Sequence, residues 1–182
     1  IAKHTNAFKI NEDVVIPLPR MGEYTNGIER LNVELSLRNK LALADALERF
    51  FRHGNLPLGK SDDAGEIPSA ELLEDRVQQA LVLLAEVRAL WSGWLAGLDS
   101  AQADRGGESF FALIQDARLR ASWKTQVLKP LQQLFAGAAF VPVLDECRRI
   151  HKEVLRGRVW AALHMHAGDG NVHTNIPVNS DN

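Results

Sequence analysis

Three histidines and an asparagine stand at alternate positions on either side of one short turn. They are His164, His166, His173 and Asn175, in the run His-Met-His-Ala-Gly-Asp-Gly-Asn-Val-His-Thr-Asn that begins at His164. Asp169-Gly170 between two alternating runs predicts a β-hairpin, because a two-residue mirror-image turn needs positive φ at both loop positions. With those two residues as the loop, Gly168 faces Asn171, Ala167 faces Val172, His166 stands opposite His173, and His164 opposite Asn175. Directly opposed residues have Cβ atoms about 4.5–5.5 Å apart. Two imidazoles at that spacing can reach one metal ion at about 2.0–2.1 Å each. The same alternation puts Leu163, Met165, Val172, Thr174 and Ile176 on the opposite, helix-facing side, and a one-residue slip would bury the histidines. Two histidines do not complete a site, since catalytic zinc usually takes three protein ligands. The plain alternative is a surface hairpin that happens to carry histidines.

The elements that must hold this hairpin are mostly helical. Phe8 to Pro19 reads as one strand, apolar and β-branched at Val14, Val15 and Ile16, ended by Pro17 and Pro19. Asn26 and Glu29 resemble a capping box, so a helix is expected from Ile28 to about His53, stopped by Gly54. A loop spans 54–68. Ser69 is placed to cap a second long helix with the seam Leu73, Val77, Ala80, Leu84, Val87, Trp91, Trp94 and Leu98, a pattern of helices packed nearly parallel or antiparallel. A third helix is expected from Glu108 toward Lys129, where Pro130 should kink or end it. A last helix runs from about Val141 to Leu155 and closes at Gly157. The period then changes to two over Arg158–His166 and Val172–Val178.

Composition narrows the function. With 182 residues, 46% hydrophobic, 24% charged and a net charge of -2, the chain lacks the basic character of a nucleic-acid binder. No apolar run is long enough to span a bilayer. The single cysteine, Cys147, allows neither an internal disulfide nor a cysteine-based zinc or iron–sulfur site. No G-x-G-x-x-G or P-loop is present to cradle a dinucleotide phosphate. The opening Ile-Ala-Lys-His has neither an initiator Met nor a signal-peptide pattern, which reads as a piece of a longer chain.

The run from His166 to His173 resembles the His-x-Gly-Asp-Gly-Asn-x-His signature of the C-terminal domain of FAD-linked oxidases. That family includes D-lactate dehydrogenases, the glycolate oxidase flavin subunit and D-2-hydroxyglutarate dehydrogenases. The resemblance implies that His166 and His173 hold a divalent metal, with zinc expected, completed by a glutamate from a segment beyond Asn182. It implies that Asn175 contacts substrate. The stretch Phe8-Lys9-Ile10-Asn11-Glu12-Asp13-Val14 resembles the family's lysine strand, which implies that Lys9 engages the substrate carboxylate. Taken alone, Lys9 is an ordinary solvated strand residue. Together the two motifs look closest to large bacterial members that fuse the flavin domain to an iron–sulfur region. FAD would then be bound by a flavin domain of the same parent chain before Ile1, with an iron–sulfur cluster elsewhere in it.

The resemblance covers 1–52 and 158–182, and implies an α+β fold: a partial ferredoxin-like antiparallel sheet with a large all-helical insertion over 53–157. In smaller relatives the helix after the lysine strand leads almost directly to the histidine hairpin, so the insertion inherits no function. The leading expectation is the substrate- and metal-binding part of an FAD-dependent 2-hydroxy-acid dehydrogenase, inactive alone, with a small 2-hydroxy acid as substrate. Its expected location is the cytoplasm, with membrane association through an electron acceptor. Two other readings stand beside it. One is a metal-dependent hydrolase, for which Asp169 in the turn is poorly aimed as a base. The other is a non-catalytic helical interaction module built on 69–155.

Overall fold

The computed structural model describes residues 7–53, 55–59, 68–166 and 170–179. Strand β1 (Ala7–Val15) is followed by a 3-10 turn over Leu18–Arg20 and then by helix α1 (Met21–Arg52). The helix begins well before Ile28, and Asn26 is interior to it rather than its cap. The prolines account for this: Pro19 sits in the first turn of the 3-10 segment, and the Arg20 N–H donates to the Pro17 carbonyl at 2.8 Å. Arg20 also pairs with Glu23 across the first turn at 3.0 Å. The chain is already turned and helical when it reaches Asn26. At the other end Arg52 is the last helical residue and His53 the C-cap, while Gly54 lies outside the described residues.

Helix α2 (Ala70–Ala96) starts as its sequence implies, with the Ser69 hydroxyl accepting the Leu72 N–H. Its seam is inward: Ala80, Leu84, Val87, Trp91, Trp94 and the following Leu98 are buried, and Leu73 and Val77 pack against them. The Trp91 indole N–H donates to Gln126 Oε1 at 3.1 Å, giving its one polar atom a partner in the core.

The continuous helix expected over Glu108–Lys129 is broken into three pieces. Helix α3 (Phe110–Gln115) is capped by Ser109 and stops where Ala117 turns to φ 58. There the Leu119 N–H reaches back to the Leu113 carbonyl at 2.9 Å. Ser122 caps a π-helical turn over Trp123–Leu128, which runs into α4 (Lys129–Leu134). Pro130 falls in the first turn of α4, directly after the π-helical turn, whose last bond runs from the Lys129 N–H to the Lys124 carbonyl. Two serines compete for backbone N–H groups inside the expected helix, and each restarts the chain.

Helix α5 (Val141–Arg156) ends at Gly157 as expected. One hydrophobic cluster joins the second half of α1 (Leu37, Leu43, Leu47, Phe51) to α2, α4 and α5. The longest helix thus serves both regions of the molecule, because its first half lies against the sheet.

That sheet has the order β1–β3–β2, with β2 (Ala162–His166) and β3 (Asn171–Asn179) joined as a hairpin and β1 antiparallel to β3. β1 and β2 are therefore mutually parallel and separated by the central strand, the arrangement of a split β-α-β unit. The fold is α+β, a three-stranded antiparallel sheet carrying a large helical insertion. Val172 and Thr174 are buried toward α1, and the Thr174 and Tyr24 hydroxyls share a 2.8 Å hydrogen bond. β2 begins later than Arg158 because Asn32 of α1 takes both backbone groups of Ala161. Its amide donates to the Ala161 carbonyl at 2.8 Å and its oxygen accepts the Ala161 N–H at 2.7 Å. Those groups are then unavailable to a ladder.

Candidate functional site

The face of the sheet turned away from α1 carries a polar residue from each of the three strands: Asp13, His164 and His173. On the central strand, His173 is paired with Asp13 of β1 on one side and His164 of β2 on the other. Asn175, next on the same face, is paired with Asn11 and Ala162. The expected division of the hairpin into a histidine side and a helix side is therefore present. The expected pairing is not.

His164, not His166, stands opposite His173, and His166 is paired with Asn171. The register differs from the tight-turn expectation by two residues, an even number, so every residue keeps its face. Residues 167–170 connect the strands, and of these Ala167, Gly168 and Asp169 lie outside the described residues. Gly170 supplies the physical reason. It has φ +68, its carbonyl accepts the Ile16 N–H at 2.8 Å, and a Cβ added there would stand 2.5 Å from the Ile16 carbonyl oxygen. Gly170 is committed to the end of β1, and β3 is in register with β1 along its whole length, Asn171 to Asn179. The hairpin partner must accept the register that the third strand imposes.

The geometry around His173 is compact. Its Nδ1 lies 2.5 Å from Asp13 Oδ1, and its ring centroid is 6.2 Å from that of His164, the planes inclined by 31°. A neutral imidazole that donates Nδ1–H to a carboxylate carries its lone pair on Nε2, so Asp13 sets both the ring orientation and the tautomer. Asp13 and His164 are solvent-exposed and His173 partly so. Among the described residues, no group of three or more His, Cys, Asp or Glu is arranged to hold a metal ion.

Lys9 lies on β1 opposite Pro177, two pairs along from Asn11–Asn175 and so on the same strand alternation as Asn11 and Asp13. The side chains of Lys9 and His166 lie outside the described residues. The structure thus brings together Asp13, His164 and His173, with Asn175 beside them. Asp13 has no part in the sequence expectations. The polar alternation Lys9, Asn11, Asp13 was its only signal, and its partner depends on the pairing of β1 with β3, which no local pattern encodes.

Compared with protein-family models, with curated proteins and with solved structures, the chain matches none. No helix among the described residues is long and apolar enough to cross a membrane.

Proposed function

We propose that this chain is the substrate- and metal-binding part of an FAD-dependent dehydrogenase of small 2-hydroxy acids, of the D-lactate, glycolate or D-2-hydroxyglutarate type. The observation that carries the proposal is the exposed sheet face on which His173, Asp13, His164 and Asn175 meet, reached from a sequence signature that resembles the FAD-linked oxidases.

The donor set suits a divalent ion of nitrogen and oxygen preference, zinc above all. Two imidazoles on one tetrahedral ion have centroids about 5 Å apart, given metal–nitrogen distances of about 2.0–2.1 Å. The 6.2 Å between His164 and His173 closes to that by small side-chain rotations. His166, the partner of His173 in the signature, is its diagonal neighbour across the hairpin, about 7–8 Å away and still within reach of a long side chain. His173 would hold the ion through Nε2, together with His166 or His164, and a carboxylate outside this chain would complete the set. A metal there supplies Lewis acidity to the hydroxyl and carboxylate oxygens of the acid. Asp13 keeps His173 aligned, Asn175 hydrogen-bonds the substrate, and Lys9 engages its carboxylate. The flavin would be held by residues outside the chain, with the protein cytoplasmic and passing electrons to an acceptor at the membrane.

The reading of 69–155 as a partner-binding module loses support, because the seam it would present is buried in the core. The test uses the flavin-bearing parent protein. Addition of D-lactate, glycolate or D-2-hydroxyglutarate should bleach the flavin absorption, and His173→Ala should abolish both bleaching and bound metal. Lys9→Met should raise KM about 10- to 150-fold, the equivalent of losing a charge-assisted hydrogen bond worth about 1.5–3 kcal/mol. A flavin that none of these acids reduces sinks the proposal.

A further inference from the structure

We propose that the cleft between α1 and the connector from α5 to β2 binds a small organic anion, a carboxylate or phosphate on a flat apolar body. The cleft has a volume of about 340 Å³ and is lined by Ser36, Asn39, Lys40, Leu155, Arg158 and Trp160, among others. That volume is at the small end of the range for ligand pockets. Its walls divide by chemistry. Leu155 and the indole of Trp160, which is 45% exposed, make an apolar side. Lys40 and Arg158 make a cationic side, with Ser36 and Asn39 offering hydrogen bonds between them.

The two cations of this cleft face one apolar wall with no carboxylate among the lining residues. Carboxylates near it in sequence are already engaged: Glu34 with Arg30 and Arg38, Asp45 with Arg88, and Glu153 with Arg149. Among the described residues, neither Lys40 nor Arg158 forms a salt bridge. Lys40 is half-buried, and burial first and Arg158 second hold its ammonium below the ordinary lysine value. Lys40 in turn contributes, after burial, to lowering His151, which stacks on Trp123 at 4.6 Å. Cations that lower one another's pKa create a positive potential that a bound anion would relieve. The guanidinium fork of Arg158 matches the paired oxygens of a carboxylate or phosphate, and an indole offers a face for a planar body. The connector is also fixed in place, since both backbone groups of Ala161 are held by Asn32. A cleft ordered before binding loses less entropy when it is filled.

The test is calorimetric titration of the 182-residue chain with 2-naphthoate and with 2-naphthalenemethanol, its neutral counterpart, mapped by amide chemical shifts. One equivalent of 2-naphthoate should bind, shifting Ser36, Asn39, Val159 and the Trp160 indole N–H, and the alcohol should bind at least about tenfold more weakly. Arg158→Gln and Lys40→Met should each weaken 2-naphthoate at least about tenfold, in line with loss of a charged hydrogen-bond partner. Lys40→Met removes a half-buried charge with no counter-ion, so it is expected to fold, and the exposed Arg158 gives an independent variant. Inorganic phosphate should compete only weakly, because it lacks the apolar body. Equal binding of acid and alcohol, shifts scattered away from the cleft, or phosphate competing as strongly as 2-naphthoate binds would each overturn the proposal. So would unchanged affinity in both variants.

Discussion

Substituting Gly170 tests whether β1 sets the register of the histidine hairpin. Gly170→Ala must hold an L side chain at φ +68, which costs about 1 kcal/mol. The new Cβ would also stand 2.5 Å from the Ile16 carbonyl oxygen, where ordinary contact needs 3.4 Å or more. Relieving that overlap moves one backbone segment by most of an ångström. The 2.8 Å bond from the Ile16 N–H to the Gly170 carbonyl is then lost, at about 1 kcal/mol, and Val15–Asn171 at the end of the ladder loosens with it. The sum is about 2–4 kcal/mol, measured as the change in urea unfolding free energy at constant m. Gly170→Asn separates the two causes, because asparagine tolerates positive φ but still carries a Cβ. Asn should therefore retain most of the loss. An Ala variant within about 0.5 kcal/mol of the parent would refute the close approach, and full recovery with Asn would mean that torsion alone governs the site.

Three further outcomes follow from individual side chains. His151 is held below the ordinary imidazole pKa, first by burial and then by the charge of Lys40, so it folds neutral. Its contribution is intact above the unfolded value of about 6.5 and is lost as pH falls through the lower folded value. Urea unfolding should thus show declining stability from pH 8 toward pH 5, less steeply in His151→Gln. An equal slope in both proteins would contradict this. The buried Cys147 thiol is pushed up to about 12, chiefly by desolvation, so Ellman's reagent should leave the native chain unmodified and label one thiol per chain in guanidinium. Ser69→Ala removes the acceptor of the Leu72 N–H and should cost about 1 kcal/mol in thermal or urea unfolding, whereas Ser69→Asp should cost little.

Local patterns were enough for much of this protein. Ser69 capped α2 where a hydroxyl precedes a helical seam, and the seam itself was inward from Ala80 to Leu98 because its spacing left one apolar side to bury. Alternation over residues 163–176 told the histidine side from the helix side, because side-chain direction along a strand has a period of two and survives any even shift. Features set by competing local signals, or by a second segment, were not legible. The start of α1 at Met21 rests on the turn that Pro17 and Pro19 impose. The breaks at Ala117 and Ser122 set short-range capping against a helical pattern that looked continuous. The site was affected most. A central strand has two neighbours but only one register, and β3 takes its own from β1, through the Ile16–Gly170 hydrogen bond and the ladder up to Ala7–Asn179. Only that long-range pairing put His164 opposite His173 and brought Asp13 to its Nδ1, because hydrogen bonds between strands distant in sequence are made by the folded sheet and by no pattern within either strand.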